Sequence, residues 1–503
     1  MAISVLEQRD ALGVGDGRLF INGAWVDASD GGTYTHVHPA SNEEVTRFAV
    51  ATAEDVDRAV RAARTAFDEG PWPGMNAKDR IRILRRLIDL IRDDIDRLNR
   101  TQTLDNGMPM AFATNIYQVG AEIAADVFDY HTGWIDKLSG QTLPTYTGSA
   151  SQVLTLREPV GVVGAIIPWN APLFLFAQKV APALAAGCTI VLKPSEYATL
   201  VTLRLTELVE EARIPPGVFN LIPGTGEVAG EALITHPMVD KITFTGSRRV
   251  GQRILHAAAD GVKRTALELG GKSPNIIFPD VDLDAAAAQA MGMVSMGLSG
   301  QGCVCHTRAL VHADIYDAIV EKCAFWAGFA TMGDPYAMET TSGPIINATQ
   351  LDRVLGYIDR GREEGARLVA GGGRANGDLA AGNFVQPTLF ADVDNAMTIA
   401  QEEIFGPVLA VVPFRDEDEA IRLANESEYG LGASVMTGDV RRAMRVARAV
   451  RSGTFGVNTY TVTPHTPFGG YKTSGIGREG GAEGIEAFTE LKTVTIALTD
   501  SPI

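Results

Sequence analysis

A cysteine set among small residues is the first feature that could do chemistry. It lies in the run Gly297-Leu298-Ser299-Gly300-Gln301-Gly302-Cys303-Val304-Cys305. The preceding small, apolar stretch, Ala285 to Met296, reads as a buried helix. Cys303 then stands at its exit, where glycines let the backbone turn and a ligand come close. A thiol reacts as thiolate, and electropositive, partly exposed loops are where thiolates form. Two other groups could serve such a nucleophile. Asn170, in Pro168-Trp169-Asn170, offers an uncharged amide that can hold an oxyanion without protonating a nearby thiolate. Glu268, in Glu268-Leu269-Gly270-Gly271-Lys272, is a candidate general base if a cleft desolvates it. Each also has an ordinary alternative: a small buried hydrophobe, a turn asparagine satisfying its own backbone, a solvated loop acid.

Two further stretches suit a dinucleotide. Gly246-Ser-Arg-Arg-Val-Gly251 follows a strand and opens a helix, so its free amides suit a pyrophosphate. It departs from the Gly-x-Gly-x-x-Gly fingerprint. Lys193-Pro194-Ser195-Glu196 ends another strand; a carboxylate there accepts from both ribose hydroxyls and repels a 2′-phosphate. The alternative for Glu196 is a helix-start acid favoured by the dipole. Nucleophile, oxyanion donor, base and phosphate seat together are what thiol-based aldehyde oxidation requires.

The elements that position these groups follow from periodicity. Gly161 to Ile167 is a near-continuous apolar run, the mark of a strand covered on both faces. Leu173 to Ala186 reads as an apolar helix, Thr189 to Leu192 as a strand and Leu200 to Ala212 as a helix. Val218 to Ile222, Lys241 to Phe244 and Thr265 to Glu268 continue the series. Such alternation predicts a parallel, doubly wound, Rossmann-like sheet that binds ligands beyond its strands' carboxyl ends. A second series on a different core includes Ala309 to Val311, Ile315 to Ala330, Leu351 to Glu364, Leu368 to Ala370 and Val408 to Phe414. The helices Glu419 to Asn425 and Val440 to Val450 follow. Upstream, Asn22-Gly23 marks a hairpin, and Thr52 with Asp55 makes a capping box. An apolar stripe from Ile81 to Leu98 reads as one helix. Gly133 to Ser151 loses periodicity, as a linker or an excursion to another subunit. Lys492 to Leu498 reads as a strand with no local partner, an edge that calls for pairing.

Size and charge narrow the function. The 503 residues exceed one hydrophobic core, and two or three domains are expected. A net charge of −17 argues against nucleic acid or an anionic membrane as partner. Four unevenly spaced cysteines make no disulfide framework, and no metal-binding set is read. Without a leader-like start or an apolar run of membrane length, a cytoplasmic location is expected.

Seven motifs in order resemble the aldehyde dehydrogenase superfamily from about Leu19 to Leu498. They are Pro168-Trp-Asn170, Lys193-Pro-Ser-Glu196, Phe244-Thr-Gly-Ser247, Leu267-Glu-Leu-Gly-Gly-Lys272, Gly300-Gln-Gly-Cys303, Glu402-Glu-Ile-Phe-Gly-Pro407 and Pro467-Phe-Gly-Gly-Tyr-Lys472. The resemblance implies Cys303 rather than Cys305 as nucleophile, Asn170 as oxyanion amide and Glu268 as base. Lys179 and Glu479 fall where the family is thought to pass protons outward. The cofactor would lie along Ile167, Trp169, Lys193, Ser195, Glu196, Gly226, Phe244, Gly246, Ser247 and Gly270, with Glu403 and Phe405 at the nicotinamide end. NAD is the expected cofactor and NADP a weaker one. The implied fold is α/β. A dinucleotide-binding domain spans 1–136 and 157–269, a catalytic domain 270–470, and a small β oligomerisation element 137–156 with 484–503. A homo-oligomer, dimer or tetramer, follows. Arg248-Arg249 departs from the family's pattern and would flank the phosphates. Ala171, Gly297 and Gly302 replace bulkier residues and should widen the substrate tunnel for a bulky aromatic, terpenoid or medium-chain aldehyde. Two rivals stand: a coenzyme A-acylating relative, which typically lacks the base at Glu268, and a silent structural protein of the same fold.

Overall fold

The computed structural model describes residues 5–116, 119–146 and 151–498. Its centre is an eight-stranded sheet and a seven-stranded sheet that meet across a crevice. In the first, five parallel strands stand in the order Arg264–Glu268, Lys241–Thr245, Val162–Ile166, Thr189–Lys193, Phe219–Leu221. Every residue of the three central strands is buried, which is why the sequence shows apolar runs there and not alternation. The chain begins this series at the middle, runs to one edge, then returns to the other side of Val162–Ile166. The order therefore reverses between the 162–166 and 241–245 strands, where doubly wound sheets leave a crevice. Antiparallel strands finish the sheet: the Leu19–Ile21 and Ala24–Val26 hairpin at one edge, Gly475–Ile476 at the other.

The second sheet runs Arg367–Ala370, Thr388–Ala391, Val408–Phe414, Arg308–His312, Pro274–Ile277, Gly432–Met436, Thr454–Val457, parallel except at the first strand. Four of these strands, at 274–277, 388–391, 432–436 and 454–457, are not among those read from the sequence. The helix Leu283–Ser295 packs on this sheet through Ala286, Ala290, Met291 and Val294.

A separate three-stranded sheet pairs Ser151–Pro159 with Thr489–Ala497 along nine residues, with Thr142–Leu143 on the far side. The C-terminal strand's partner thus lies more than three hundred residues earlier, beyond any local pattern. Residues 147–150 and 499–503 of the expected oligomerisation element lie outside the described residues.

Local signals mostly hold. Thr52 and Asp55 form the reciprocal capping box that starts Ala53–Asp68. The apolar stripe from Ile81 to Leu98, however, spans two helices, Ala77–Asp93 and Ile95–Asn106. The break is at Asp94, whose carboxylate takes two bonds from Arg204, at 2.7 and 3.1 Å. A long-range ion pair has overridden a continuous stripe. Among the described residues no helix is long and apolar enough to cross a membrane.

Candidate active site

Two confluent cavities open at the crevice. The inner one, about 170 Å³, is lined by Asn170, Glu268, Gly270, Cys303, Glu403 and Phe405. The outer one, about 580 Å³, holds Ile167, Lys193, Ser195, Glu196, Gly226 and Phe244. Trp169, Thr245, Gly246 and Ser247 line both and form the neck. The site residues expected from sequence thus fall into one continuous space, except Lys179 and Glu479. Those two line neither cavity and sit behind Glu268.

The Cys303 loop is held from several sides. Gln301 donates to the carbonyls of Leu298 and Pro344, both at 2.9 Å, and accepts from the Ile346 N–H at 3.0 Å. Gly300 has a left-handed φ of +72°, and a Cβ there would collide with the Gly406 carbonyl. Only glycine lets this loop lie flat against the one that carries Glu403 and Phe405. The half-buried Cys303 thiol meets a different setting from the electropositive loop expected. Burial raises its pKa, and the carboxylates of Glu403 and Glu268 raise it further. Cys305 is pushed up to about 12, chiefly by burial. Burial thus disfavours the thiolate form of both cysteines.

Asn170 sits between the Val162–Ile166 strand and the helix Pro172–Ala186. Its Nδ2 donates to the Gln301 carbonyl at 2.9 Å, which turns the amide toward the Cys303 loop. Across the cavity Glu268 is 2% exposed, and neither carboxylate oxygen has a hydrogen-bond partner. Burial lifts its pKa well above the usual carboxylate range, Glu479 adds to the lift, and Lys179 and Arg478 oppose it. Lys179 forms a buried ion pair with Glu479, whose Oε1 also accepts from the Thr243 hydroxyl at 3.3 Å. An isolated acid beside a paired one is the arrangement that gives a carboxylate high proton affinity.

At the neck, Ser247 caps the helix Arg248–Gly261 by accepting from the Val250 N–H. That leaves the first amides of the helix directed at the space between the cavities. The Thr245 hydroxyl, buried there, has no partner. Glu403 accepts from the Gly271 N–H at 3.0 Å, and the ring of Phe405 stands edge-on to Trp169 with centroids 5.3 Å apart. In the outer cavity Lys193 reaches Glu196 at 3.7 Å and donates to the Gly224 carbonyl at 2.6 Å.

Three details differ from the sequence reading or were invisible to it. Arg248 pairs with Glu428 across the crevice, so of the two arginines only Arg249 lines the outer cavity. The space left by Gly297 is refilled, because a Cβ there would strike the Phe112 ring. Arg353 lines the inner cavity and donates to the Glu403 carbonyl at 2.6 Å. It comes from the exposed side of the helix Ala348–Glu363, where no pattern separates it from other surface arginines.

The aldehyde dehydrogenase family model matches residues 25–494. The mitochondrial aldehyde dehydrogenase of Homo sapiens is 45% identical over 482 residues, 95% of this chain and 92% of that protein. A solved betaine aldehyde dehydrogenase from Staphylococcus aureus, in complex with NAD+, superposes with a TM-score of 0.96 at 36% identity, over 99% of this chain and 98% of that one. The NAD+ complex of an aldehyde dehydrogenase from Bacillus cereus gives 0.94 at 40% identity, over 99% and 100%. With its whole length matched and its motifs gathered around one crevice, the chain belongs to the aldehyde dehydrogenase family.

Proposed function

We propose that this aldehyde dehydrogenase oxidises its substrate to a carboxylic acid with NAD as hydride acceptor, through covalent intermediates on Cys303. The observation that carries the reading is the inner cavity itself. A thiol, an amide donor and an isolated buried carboxylate line one small space joined to a dinucleotide-sized cleft. The residues present fit NAD. Helix amides and the unpartnered Thr245 hydroxyl suit its pyrophosphate, Lys193 and Glu196 its adenosine ribose, and Glu403 and Phe405 its nicotinamide end. When bound, NAD supplies the hydride acceptor. Glu196 favours it over NADP, because its charge opposes a 2′-phosphate at short range.

Cys303 passes its proton to solvent water in the cavity and forms an S–C bond to the aldehyde carbon, and the carbonyl oxygen becomes an oxyanion held by the Asn170 amide and the Cys303 N–H. Loss of hydride from that carbon leaves a thioester on Cys303. Glu268 then takes a proton from water, which attacks the thioester carbon; the C–S bond breaks and the acid departs. Lys179 and Glu479 carry the proton outward from Glu268.

The substrate is proposed to be bulkier than acetaldehyde: medium-chain, aromatic or terpenoid. The small Ala171 beside Asn170 supports this, as does the apolar packing of Phe174, Val462 and Phe468 around Cys303. Phe112 removes Gly297 from the case, and the Cys305 sulfur, 2.8 Å from where a Cβ would stand, removes Gly302. The rings of Phe174, Tyr460 and Phe468 also suit a quaternary ammonium group, so betaine aldehyde is the second candidate. The three-stranded sheet is proposed to mediate homo-oligomerisation as the 137–156 and 484–503 element, with 1–136 and 157–269 binding the dinucleotide and 270–470 carrying catalysis. Leu156, Leu491 and Ile496 are exposed along its ribbon. NADH absorbance with acetaldehyde, hexanal, benzaldehyde and betaine aldehyde tests the reading. No NAD-linked turnover with any aldehyde overturns the activity, and a clear acetaldehyde preference overturns the substrate class.

A further inference from the structure

We infer that Arg253 and Glu231 form a clasp over the adenine ring of the cofactor, with the Arg253 guanidinium stacked on the base. This rests on the proposed use of the two cavities. The reacting thiol lies in the inner cavity and the neck is shared, so a dinucleotide whose hydride-accepting end meets Cys303 must extend its other end into the outer cavity.

The outer cavity has an apolar floor. Ile234, Phe244 and Ile254 line it and are 3%, 5% and 0% exposed. Such a floor suits a flat heterocycle better than it suits phosphate or sugar. Two walls flank it: the short helix Glu231–Thr235 and the helix Arg248–Gly261. Glu231 starts the first wall, and Arg253 lies a turn and a half into the second. Both line the cavity, and they form an ion pair that joins the walls.

That pair is solvent-exposed, with side chains 48% and 40% accessible. Exposed pairs of this kind add little to stability. What distinguishes this one is its place at the opening of the apolar slot. A guanidinium is planar, weakly hydrated and attracted to the face of an aromatic ring. Glu231 accepts from one guanidinium nitrogen, Nη2, and so tethers the group over the slot, which lowers the ordering cost when a base slides beneath it. Lysine would supply charge there without a stacking surface.

The experiment is a comparison of dissociation constants, by titration calorimetry, for NAD, NADP and nicotinamide mononucleotide, which lacks the adenosine half. Wild type, Arg253→Ala, Arg253→Lys and Glu231→Gln are measured with no aldehyde present. Arg253→Ala should weaken NAD roughly tenfold, the scale of a desolvated cation–π contact, and leave the mononucleotide unchanged. Arg253→Lys should recover only part of the loss. Glu231→Gln should weaken NAD about two- to threefold, as an exposed pair would. Unchanged or tighter NAD binding by Arg253→Ala overturns the clasp. So does an equal loss for the mononucleotide, or a much larger loss for NADP than for NAD, which would assign Arg253 to a 2′-phosphate. If wild type binds NAD no better than the mononucleotide, the outer cavity does not seat adenosine, and the underlying reading falls with the clasp.

Discussion

In the eight-stranded sheet the residues of the site follow their strands, whereas in the seven-stranded sheet they precede them. Pro168–Asn170, Lys193–Glu196, Gly246–Ser247 and Glu268–Gly271 stand at or just past the carboxyl ends of 162–166, 189–193, 241–245 and 264–268. Gly270–Gly271, Cys303 and Glu403–Phe405 come just before the amino ends of 274–277, 308–312 and 408–414. The carboxyl ends of the second sheet are occupied differently. Asp280 there accepts from the Thr437 hydroxyl, the Gly438 N–H and Arg442, while a separate cavity of about 700 Å³, lined by Asp394, Asn395, Val412 and Glu419 but by no residue expected to do chemistry, opens past strands 388–391 and 408–414. Two sheets of the same parallel type therefore contribute opposite edges to one crevice. The first edge leads into helix N-termini, which favour phosphate. The second brings in the thiol, where burial raises its pKa and the carboxylates of Glu403 and Glu268 raise it further. The phosphate and adenosine side of the cleft is built from the first edge and the thiol loop from the second, while Glu268 of the first edge and Glu403 of the second meet beside the thiol.

The sharpest break in that comparison is the nucleophile. Cys303→Ala should lower turnover by at least about four orders of magnitude, the scale seen when a nucleophile is removed. NAD affinity, set by the other edge, should be unchanged by calorimetry. Cys305→Ala should keep most activity, and the reverse outcome would move the nucleophile to Cys305. Next is Glu268→Gln, which should slow thioester hydrolysis by roughly 100-fold or more while sparing the first hydride transfer. Stopped-flow absorbance should then show a burst of NADH followed by little turnover. Loss of the burst would place Glu268 in the first step.

The pH profile comes third. Cys303 and Glu268 both have raised pKa values, so each holds its proton to higher pH than an ordinary thiol or carboxylate. Both must release it to act. The rate should therefore fall as pH drops toward neutrality and climb on the alkaline side, and a flat profile from pH 6 to 9 would contradict the buried setting of both groups. A smaller effect is expected from Glu196→Gln, which should narrow the NAD preference over NADP by about tenfold, or ~1.4 kcal/mol of charge repulsion. The smallest concerns the unused edge: Asp280→Asn should lower the melting temperature slightly and leave kcat/KM within about twofold, as expected for a structural site remote from the chemistry. A catalytic defect there would mean the second sheet's carboxyl ends do take part.

Much of this was legible in sequence because the site is built from strand ends. A buried parallel strand is a short apolar run, and its end is marked by Pro, Gly or Ser, so Asn170, Glu196, Ser247 and Glu268 could be placed from local pattern alone. Cys303 is marked by its glycines, but its preference over Cys305 rests on the family resemblance. The misses have a common cause, contacts made across long sequence separations. Arg204 splits the stripe at Asp94, Glu428 draws Arg248 off the phosphate side, and Phe112 fills the room at Gly297. Spacing along the chain cannot report such pairings. The raised pKa of Cys303 escaped for the same reason, since burial by the folded chain is its main cause and the carboxylates that add to it arrive from positions 268 and 403.

The edge strand Gly475–Ile476 has a consequence for the order of events during synthesis. By pairing with Arg264–Glu268 it delivers Glu479 to Lys179, a partner three hundred residues upstream. Domains fold as they emerge, the N-terminal parts first. A nascent chain that has exposed Cys303 and the cofactor cleft still lacks the buried ion pair beside Glu268, and it keeps lacking it until almost the last residues leave the ribosome. The ion pair beside Glu268 is therefore among the last contacts to form, ahead of the pairing of Thr489–Ala497, and a chain interrupted before residue 479 never forms it.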